Sequence, residues 1–235
     1  MKQKIRNINT LLKKHFGTPP RSERPPDPLD LLIATILSQN TNDKNSYRAF
    51  INLKEKIQSW NNLPAVSPKR LKNIIRIAGL ADQKAEAILN LVKMVKKERR
   101  TVSLDHIRKL NDDEILNYLK SFKGIGTKTA SCVLLFSLNR NVCPVDTHVH
   151  RVLNRIGIVS TKSPDKTFDE IRNYLPSNSA HSFHTNLIRL GREICKPARP
   201  LCPVCPLKVV CNFKDKTKEL KVEPNRNSFM LLDNV

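Results

Sequence analysis

Hydrophobic residues recur at intervals of three and four along most of the chain, which is the spacing of one face of an α-helix. Ile115, Leu119 and Phe122 illustrate the pattern. Alternating runs of β-branched residues, which would indicate strands, are scarce. The pattern predicts an all-α protein without internal repeats, with helices near residues 5–16, 29–38, 43–58, 68–76, 83–97, 112–122, 127–138, 147–156, 166–174 and 179–194.

A helix start is indicated by the segment Asn111-Asp112-Asp113-Glu114, which directly precedes the apolar face beginning at Ile115. Asn111 and Glu114 have the spacing of a capping box, in which each side chain accepts a hydrogen bond from the other residue's backbone N–H. Glycine, proline, asparagine and serine mark the breaks between the other predicted helices. These signals favour ten short helices rather than a few long ones.

The charge of the chain narrows the choice of partner. The 235 residues carry 42 Lys and Arg against 21 Asp and Glu, a net charge of +21. Basic residues are spread over the whole length, so the folded surface itself must be positive. Such one-signed charge exceeds what solubility requires and favours a nucleic acid, because neutralised phosphates release counterions.

Nothing in the sequence indicates a membrane. No apolar run approaches the ~18 residues that a membrane-spanning helix needs, and no basic amphipathic segment with an aromatic face stands out. Residues 1–14 alternate basic and apolar side chains without the apolar core or cleavage site of a signal peptide. We therefore expect an intracellular protein of the cytoplasm or nucleoid, without a membrane partner and monomeric.

Four of the six cysteines lie close together in the pattern C-x6-C-x2-C-x5-C. Four thiolates this close in an intracellular chain favour a metal over disulfides, and they match either tetrahedral zinc or the corners of an iron–sulfur cube. Zinc ribbons pair two C-x2-C knuckles across a long spacer, whereas this compact loop has one such pair, so the pattern favours a [4Fe–4S] cluster over zinc. The predicted ligands are Cys195, Cys202, Cys205 and Cys211. The two isolated cysteines, Cys132 and Cys143, are interpreted as structural.

A helix, a turn and a second helix are predicted over residues 115–138, with Gly124-Ile125-Gly126 at the turn. The two glycines let the backbone turn sharply while Ile125 anchors it in the core. The backbone N–H groups that follow then point outward at the start of the second helix, where the helix dipole favours an anion such as a DNA phosphate. Such contacts position a duplex without reading its sequence.

Lys128 falls in the first turn of that second helix, where the dipole disfavours a cation. A partly desolvated amine at this position would give up its proton more easily, as a nucleophilic lysine requires. The alternative interpretation is a lysine that only touches a phosphate.

Asp146 directly precedes the predicted helix at 147–156. One interpretation is an N-cap for that helix. The other is a carboxylate that stabilises positive charge developing on a sugar. His148 and His150 do not share a helix face, so they are not interpreted as a metal-binding pair.

Three elements follow one another along the chain: the hairpin that ends in Lys128, the Val145-Asp146-Thr147-His148 segment, and the cysteine loop. Together they resemble the endonuclease III branch of the helix-hairpin-helix DNA glycosylases. The resemblance extends upstream through Leu31-Leu32-Ile33-Ala34-Thr35-Ile36-Leu37-Ser38 and Ile77-Ala78-Gly79-Leu80, and it covers roughly residues 29 to 211.

The resemblance implies a fold of two helical domains that flank a DNA-binding cleft. A six-helix barrel-like domain with the helix-hairpin-helix would comprise residues 29–134. A discontinuous iron–sulfur domain would comprise residues 1–28 and 135–211. We expect residues 212–235, which end in a short apolar patch at 229–232, to form a frayed tail.

The resemblance also implies base-excision repair of duplex DNA that contains damaged bases or abasic sites. A damaged base would be flipped into the cleft at an unstacking cost of about a few kcal/mol. Asp146 would stabilise the oxocarbenium charge and assist proton transfer. Lys128 would form a Schiff base with the opened sugar and cleave the strand by β-elimination. Family members without this lysine generally only remove the base, so Lys128 predicts a bifunctional glycosylase and abasic-site lyase. The leading hypothesis for its substrates is oxidised pyrimidines.

The implied contacts with DNA lie in three short segments. Gln39 or Asn40 would fill the gap left by the flipped base. Both are named because Ser38-Gln39-Asn40-Thr41 departs from the family's usual Ser-Ala-Gln-Ala. The alternative is that these residues only form a polar cap that ends the preceding helix. Leu80, or its neighbour Ala81, would wedge the duplex. The implied DNA-binding residues are Gly124, Gly126, Thr127, Thr129, Gln39, Asn40, Leu80 and His148.

Two other functions stay open at this point. A mismatch enzyme that removes thymine or uracil opposite guanine has the same fold, although its members often lack the lysine. A catalytically silent iron–sulfur DNA-binding protein belongs to a different class. Adenine-mismatch glycosylases are disfavoured, because residues 31–42 contain no acidic residue that could serve as their catalytic glutamate.

Overall fold

The structure is a computed structural model that describes residues 1–219, and within them it contains ten α-helices and no strand. The predicted patch at 229–232 and the end of the predicted tail lie outside the described residues. The helices are α1 Lys2–Phe16, α2 Pro28–Leu37, α3 Asp43–Ile57, α4 Pro68–Ile75, α5 Ala81–Arg99, α6 Asp112–Lys120, α7 Thr127–Cys132, α8 Thr147–Ile156, α9 Pro164–Ile171 and α10 Ala180–Glu193. All ten predicted helices are present. The capping box at α6 is also confirmed, since Asn111 and Glu114 each accept the other's backbone N–H.

Short segments of other helix types connect several α-helices. Turns of 3₁₀-helix cover Trp60–Ala65, Arg76–Ala78, Asp105–Lys109, Arg172–Tyr174 and Cys202–Val204. The predicted helix at 127–138 is in fact the short α7 followed by a π-helical turn, Val133–Ser137. There the Leu138 N–H donates to the Val133 carbonyl at 3.1 Å, which widens the helix by one residue.

The described chain divides into two compact units. The first comprises Ser22–Arg140 and contains α2 to α7. Its core is α2, in which nine of ten residues are buried, so the helix is apolar on all sides. Helices α3, α5 and α7 pack around α2, and this arrangement positions the hairpin between α6 and α7.

The second unit is discontinuous and joins Met1–Arg21 to the described residues from Asn141 onward. Helix α10 packs against both α1 and α8. Asn9 on α1 donates to the Ser182 hydroxyl on α10 at 3.1 Å, and Arg189 on α10 donates to the Phe16 carbonyl at 2.9 Å. The cysteine loop follows α10 in this unit. No helix among residues 1–219 is both long and apolar enough to cross a membrane.

Candidate nucleic-acid interface and active site

The hairpin between α6 and α7 is built by two buried apolar residues and two glycines. Phe122 and Ile125 are buried, and the Ile125 N–H donates to the Phe122 carbonyl at 3.2 Å, which closes the turn. Gly124 has φ +83°, in the left-handed region that favours glycine. An added Cβ there would lie 3.2 Å from the Ala87 Cβ, so glycine also allows the close approach to α5.

The start of α7 lacks a side-chain cap. Its N-cap residue is Gly126, which has extended backbone and no side-chain hydrogen bond to the helix. The first N–H groups of a helix have no partner inside the helix, so here they can receive an external acceptor. The side chains of Thr127 and Thr129 are buried, so any contact they make with a phosphate involves their backbone N–H groups.

Lys128 is the second residue of α7 and is half-buried. Its carbonyl accepts a hydrogen bond from the Ser131 hydroxyl at 3.0 Å, and the same hydroxyl also donates to the Thr127 carbonyl at 2.7 Å. These bonds fix the first turn of α7. The amine of Lys128 is therefore carried by a rigid segment directly after the hairpin.

Asp146 is the N-cap of α8, as one interpretation of the sequence proposed. Its carboxylate accepts a hydrogen bond from the Val149 N–H at 2.8 Å, and the residue is half-buried. This bond leaves further acceptor capacity on the carboxylate, because two oxygens offer about four lone-pair sites. The cap is confirmed, and the catalytic role stays a prediction.

Two segments of the first unit carry a residue on left-handed backbone, and one of them is bonded to the hairpin. Gln39 donates from Nε2 to the Gly124 carbonyl at 3.2 Å, which ties its segment to the hairpin turn. Asn40 is exposed with φ +51°. Leu80 has φ +48°, which is uncommon for a residue other than glycine, and it is 47% exposed. An exposed apolar side chain held on a fixed turn has the chemistry of a wedge between base pairs.

His148 packs inside the second unit. Its Nδ1 lies 3.2 Å from Nη2 of Arg151, and a Cβ added to Gly191 would lie 2.8 Å from the His148 Cβ. Burial lowers the pKa of His148 below its usual value, although the Asp146 carboxylate opposes this shift. The neutral imidazole is therefore favoured, so a contact with DNA would be a hydrogen bond rather than an ion pair.

The four clustered cysteines line one cavity together with Ile156 of α8, Leu190 of α10 and Ile194, which directly follows α10. All four are free of disulfides. The pKa of the Cys205 thiol is raised to about 11, mainly by burial and in smaller part by the other three thiols, as expected for sulfurs that line one cavity. Among residues 1–219 no three His, Cys, Asp or Glu side chains are gathered closely enough to hold a metal ion.

Two arginines on α8 hold the cysteine loop, and sequence reasoning missed them. Arg151 donates to the carbonyls of Cys195 at 3.0 Å and Gly191 at 2.9 Å. Arg155 donates to the carbonyls of Lys196 at 2.7 Å and Pro197 at 2.8 Å. The two arginines are four residues apart on one helix face, a spacing that identifies a shared face but not its partner.

Comparison with known proteins gives consistent relatives. The model of the HhH-GPD superfamily base excision DNA repair proteins matches residues 33–177. Endonuclease III of Thermotoga maritima is 34% identical over 197 residues, which cover 83% of this chain and 87% of the relative. Endonuclease III of Sulfolobus acidocaldarius is 32% identical, with coverage of 77% and 80%.

The chain belongs to the endonuclease III family of the HhH-GPD superfamily. A solved endonuclease III–DNA complex superimposes with a TM-score of 0.75 at 29% identity, covering 90% of this chain and 95% of the other. A thermostable thymine-DNA glycosylase superimposes with a TM-score of 0.74 at 20% identity, which shows the shared fold. The predicted family and fold class are thereby confirmed.

Within this family the predicted site residues fall into two groups. Gln39, Asn40, Leu80, the hairpin glycines and Lys128 lie in the first unit, where the Gln39 bond joins its segment to the hairpin. Asp146, His148 and the four cysteines lie in the second unit. The roles of all these residues in catalysis and DNA binding stay predictions.

Proposed function

We propose that this protein is a bifunctional DNA glycosylase and abasic-site lyase that removes oxidised pyrimidines from duplex DNA. The observation that carries the proposal is the half-buried Lys128 in the first turn of a helix whose start has no side-chain cap. Such a turn binds a phosphate through its backbone N–H groups and brings an amine beside the sugar attached to that phosphate. Membership of the endonuclease III family supports the same activity.

Duplex DNA is the proposed partner. The net charge of +21 supplies the electrostatic attraction, and the uncapped start of α7 supplies a defined phosphate site. The similar solved structure of an endonuclease III–DNA complex supports this partner. The gap-filling segment at Gln39 and the exposed Leu80 would enter the duplex once the damaged base has left the stack.

Base removal begins when the nitrogen lone pair of Lys128 attacks C1′ of the damaged nucleotide. A bond forms between Nζ and C1′, and the N-glycosidic bond breaks with its electron pair leaving on the base. Asp146 would stabilise the positive charge that develops on the sugar and assist proton transfer, and the amine releases one proton to the surroundings once the new bond has formed. The departing base takes up a proton from the solvent or from the site.

Strand cleavage follows from the same covalent adduct. The sugar ring opens as O4′ takes a proton, which leaves a C1′=Nζ Schiff base. Loss of a proton from C2′ supplies the electrons for a C2′=C3′ double bond, and the C3′–O bond breaks with the phosphate leaving. Hydrolysis of the Schiff base then returns Lys128 as a free amine.

We further propose a [4Fe–4S] cluster as the group bound by Cys195, Cys202, Cys205 and Cys211. The compact loop C-x6-C-x2-C-x5-C has a single C-x2-C pair, which supports the cluster over a zinc ribbon with its two such pairs, and all four cysteines line one cavity. When bound, such a cluster can carry an electron, and its binding adds to the folding free energy of the loop. Arg151 and Arg155 would then orient the loop through its carbonyls. The purified protein should be brown, absorb visible light and contain iron by metal analysis. A colourless protein that contains zinc would contradict the cluster.

The lyase proposal is tested by borohydride trapping on duplex DNA with one abasic site. Wild-type protein should form a covalent adduct and Lys128→Ala should form none. Lys120→Ala, which removes an exposed lysine from the last turn of α6, is the matched control and should keep the adduct. An adduct that persists in Lys128→Ala would show that another amine attacks the sugar.

The substrate proposal is tested separately with duplexes that each contain one lesion. Release of an oxidised pyrimidine, faster than release of thymine from a G·T mismatch, is expected. The reverse order would identify a mismatch glycosylase, and intact DNA in every case would identify a silent DNA-binding protein.

A further inference from the structure

Lys84 is a buried lysine that the proposed mechanism does not use. It lies in the first turn of α5 and is only 2% exposed. Its Nζ donates to the carbonyl of Leu37 and to the carbonyl of Ala78, both at 2.8 Å. Lysine is among the residues least often fully buried, so this position requires an explanation.

The two carbonyls that Lys84 binds occupy equivalent places in the chain. Leu37 is the last residue of α2, and Ala78 is the last residue of the 3₁₀ turn that follows α4. Carbonyls at the ends of helices lack partners inside the helix, so the single amine satisfies one from each. Two residues beyond each carbonyl lies a residue that would enter the DNA: Gln39 after Leu37, and Leu80 after Ala78.

The tie extends to the hairpin. Gln39 donates to the Gly124 carbonyl at 3.2 Å, so the gap-filling segment is bonded to Lys84 at one end and to the phosphate-binding turn at the other. Leu80 and Asn40 hold left-handed backbone, which persists only where the surrounding structure determines it. Lys84 therefore connects, through one atom, the two segments that must enter a duplex together.

Stability alone does not account for a lysine here. Burial lowers the pKa of Lys84 to about 8, which means that keeping this side chain charged in the core costs free energy. A neutral amine still has two N–H groups, one for each carbonyl, so the connection does not depend on the charge. The chain thus keeps a costly group whose distinctive property is that it joins these two helix ends.

We propose that Lys84 is a positioning residue that holds the segments 38–41 and 79–80 at a fixed separation, so that gap filling and wedging occur as one step. This inference rests on the proposed function, since it assigns those segments to DNA entry. It predicts that loss of the tie impairs opening of a paired duplex far more than it impairs chemistry at a site that is already open.

The experiment compares wild type with Lys84→Met, which keeps the length of the side chain and removes the donors. Lys93→Met, an exposed lysine on the same helix, is the matched control for the lost charge. Each protein is bound to a duplex in which 2-aminopurine faces an uncleavable tetrahydrofuran abasic analogue. Insertion of the two segments unstacks the 2-aminopurine and raises its fluorescence, and this readout requires no catalysis.

Cleavage is measured in parallel on an abasic site in a full duplex and on one inside an unpaired bubble. For Lys84→Met we expect a reduced fluorescence rise and a duplex cleavage rate about tenfold lower, because both hydrogen bonds that fix the separation of the two segments are lost. Cleavage in the bubble should change by no more than about twofold. The thermal unfolding midpoint is recorded for each variant, and Lys84→Gln, which keeps one donor group, replaces Lys84→Met should that variant not fold.

Equal losses on duplex and bubble, or an unchanged fluorescence rise, would overturn the positioning role. Absence of cleavage by the wild type would instead count against the proposed lyase, while the fluorescence comparison would still decide the role of Lys84.

Discussion

Helices α7 and α8 carry the two predicted catalytic residues near their starts, yet the two starts are built differently. Helix α7 begins after Gly126, which offers no side chain to its N–H groups. Helix α8 begins after Asp146, whose carboxylate accepts the Val149 N–H at 2.8 Å. The bare start is left available to an external phosphate, whereas the capped start uses its own helix to fix the position of a carboxylate. Two helix termini with the same backbone thus acquire different chemistry from one residue each.

The largest effect is expected from a change in the cysteine loop, which is bonded to α8. Arg151 and Arg155 join this helix to the cysteine loop, so Cys205→Ser should release both the loop and its anchor. We expect the free energy of unfolding of this unit to fall by roughly several kcal/mol, because metal binding is coupled to folding in such loops. Limited proteolysis should cut within the unit from Asn141 onward before it cuts the unit that contains α7. Lys208→Ser, an exposed change in the same loop, should leave the digestion pattern unchanged. Simultaneous digestion of both units would contradict the difference.

The next largest effect separates the two duties of Asp146. Asparagine caps helices about as well as aspartate, so Asp146→Asn should change the unfolding free energy by no more than about 0.5 kcal/mol. Base excision should fall by about a hundredfold or more, because the carboxylate charge is lost. Urea unfolding and single-turnover excision measure the two quantities. Undiminished excision in Asp146→Asn would show that only the cap matters.

A smaller effect should follow from giving α7 the cap that α8 has. An added Cβ at Gly126 meets no atom within 4 Å, so Gly126→Asp fits the existing backbone. The new cap should stabilise the protein by only about 0.3 kcal/mol, because glycine is itself a tolerated N-cap, and DNA affinity should fall by about tenfold, because a carboxylate then competes with the phosphate and repels it. Gly126→Asn, a neutral cap, separates competition from repulsion. Binding measured by fluorescence anisotropy should decrease while stability increases; a parallel change in both would contradict the assignment of α7 as a phosphate site.

The effect that is smallest at neutral pH concerns α5, which places a lysine in its first turn. The pKa of Lys84 is about 8 in the folded protein and ordinarily 10.5. Between these values the unfolded chain binds the proton more readily, so the unfolding free energy contributed by Lys84 rises with pH from about 8 to 10.5 and is constant below that window. Urea titrations of wild type and Lys84→Met across this range should show a rise in their difference. A flat difference would contradict the buried cation.

Local signals account for much of what the sequence predicted correctly. The ten helices follow from the spacing of apolar residues, and the capping box at Asn111 follows from two residues three apart. The hairpin is also local, since Phe122, Gly124 and Ile125 lie within four residues of one another and form the turn. Each of these features depends on residues within one or two turns of helix.

The features that the sequence did not predict depend on distant partners. Lys84 donates to the carbonyl of Leu37, which is 47 residues away. A lysine is ordinarily expected at the surface, so the sequence alone does not indicate that this one is buried. The π-helical turn after α7 widens a segment whose apolar pattern is that of an ordinary α-helix. The bonds from Arg151 and Arg155 reach carbonyls about forty residues ahead, and backbone carbonyls carry no sequence signature.

The carboxylate at the start of α8 constrains how this lineage can evolve. Most replacements of Asp146 remove the helix cap together with the charge, so they cost stability in addition to any loss of the proposed catalysis, and a destabilised variant is open to removal by selection. Asparagine, serine and threonine combine a good cap with an uncharged side chain. A descendant that keeps this fold but no longer needs a carboxylate here is therefore expected to carry one of these three residues.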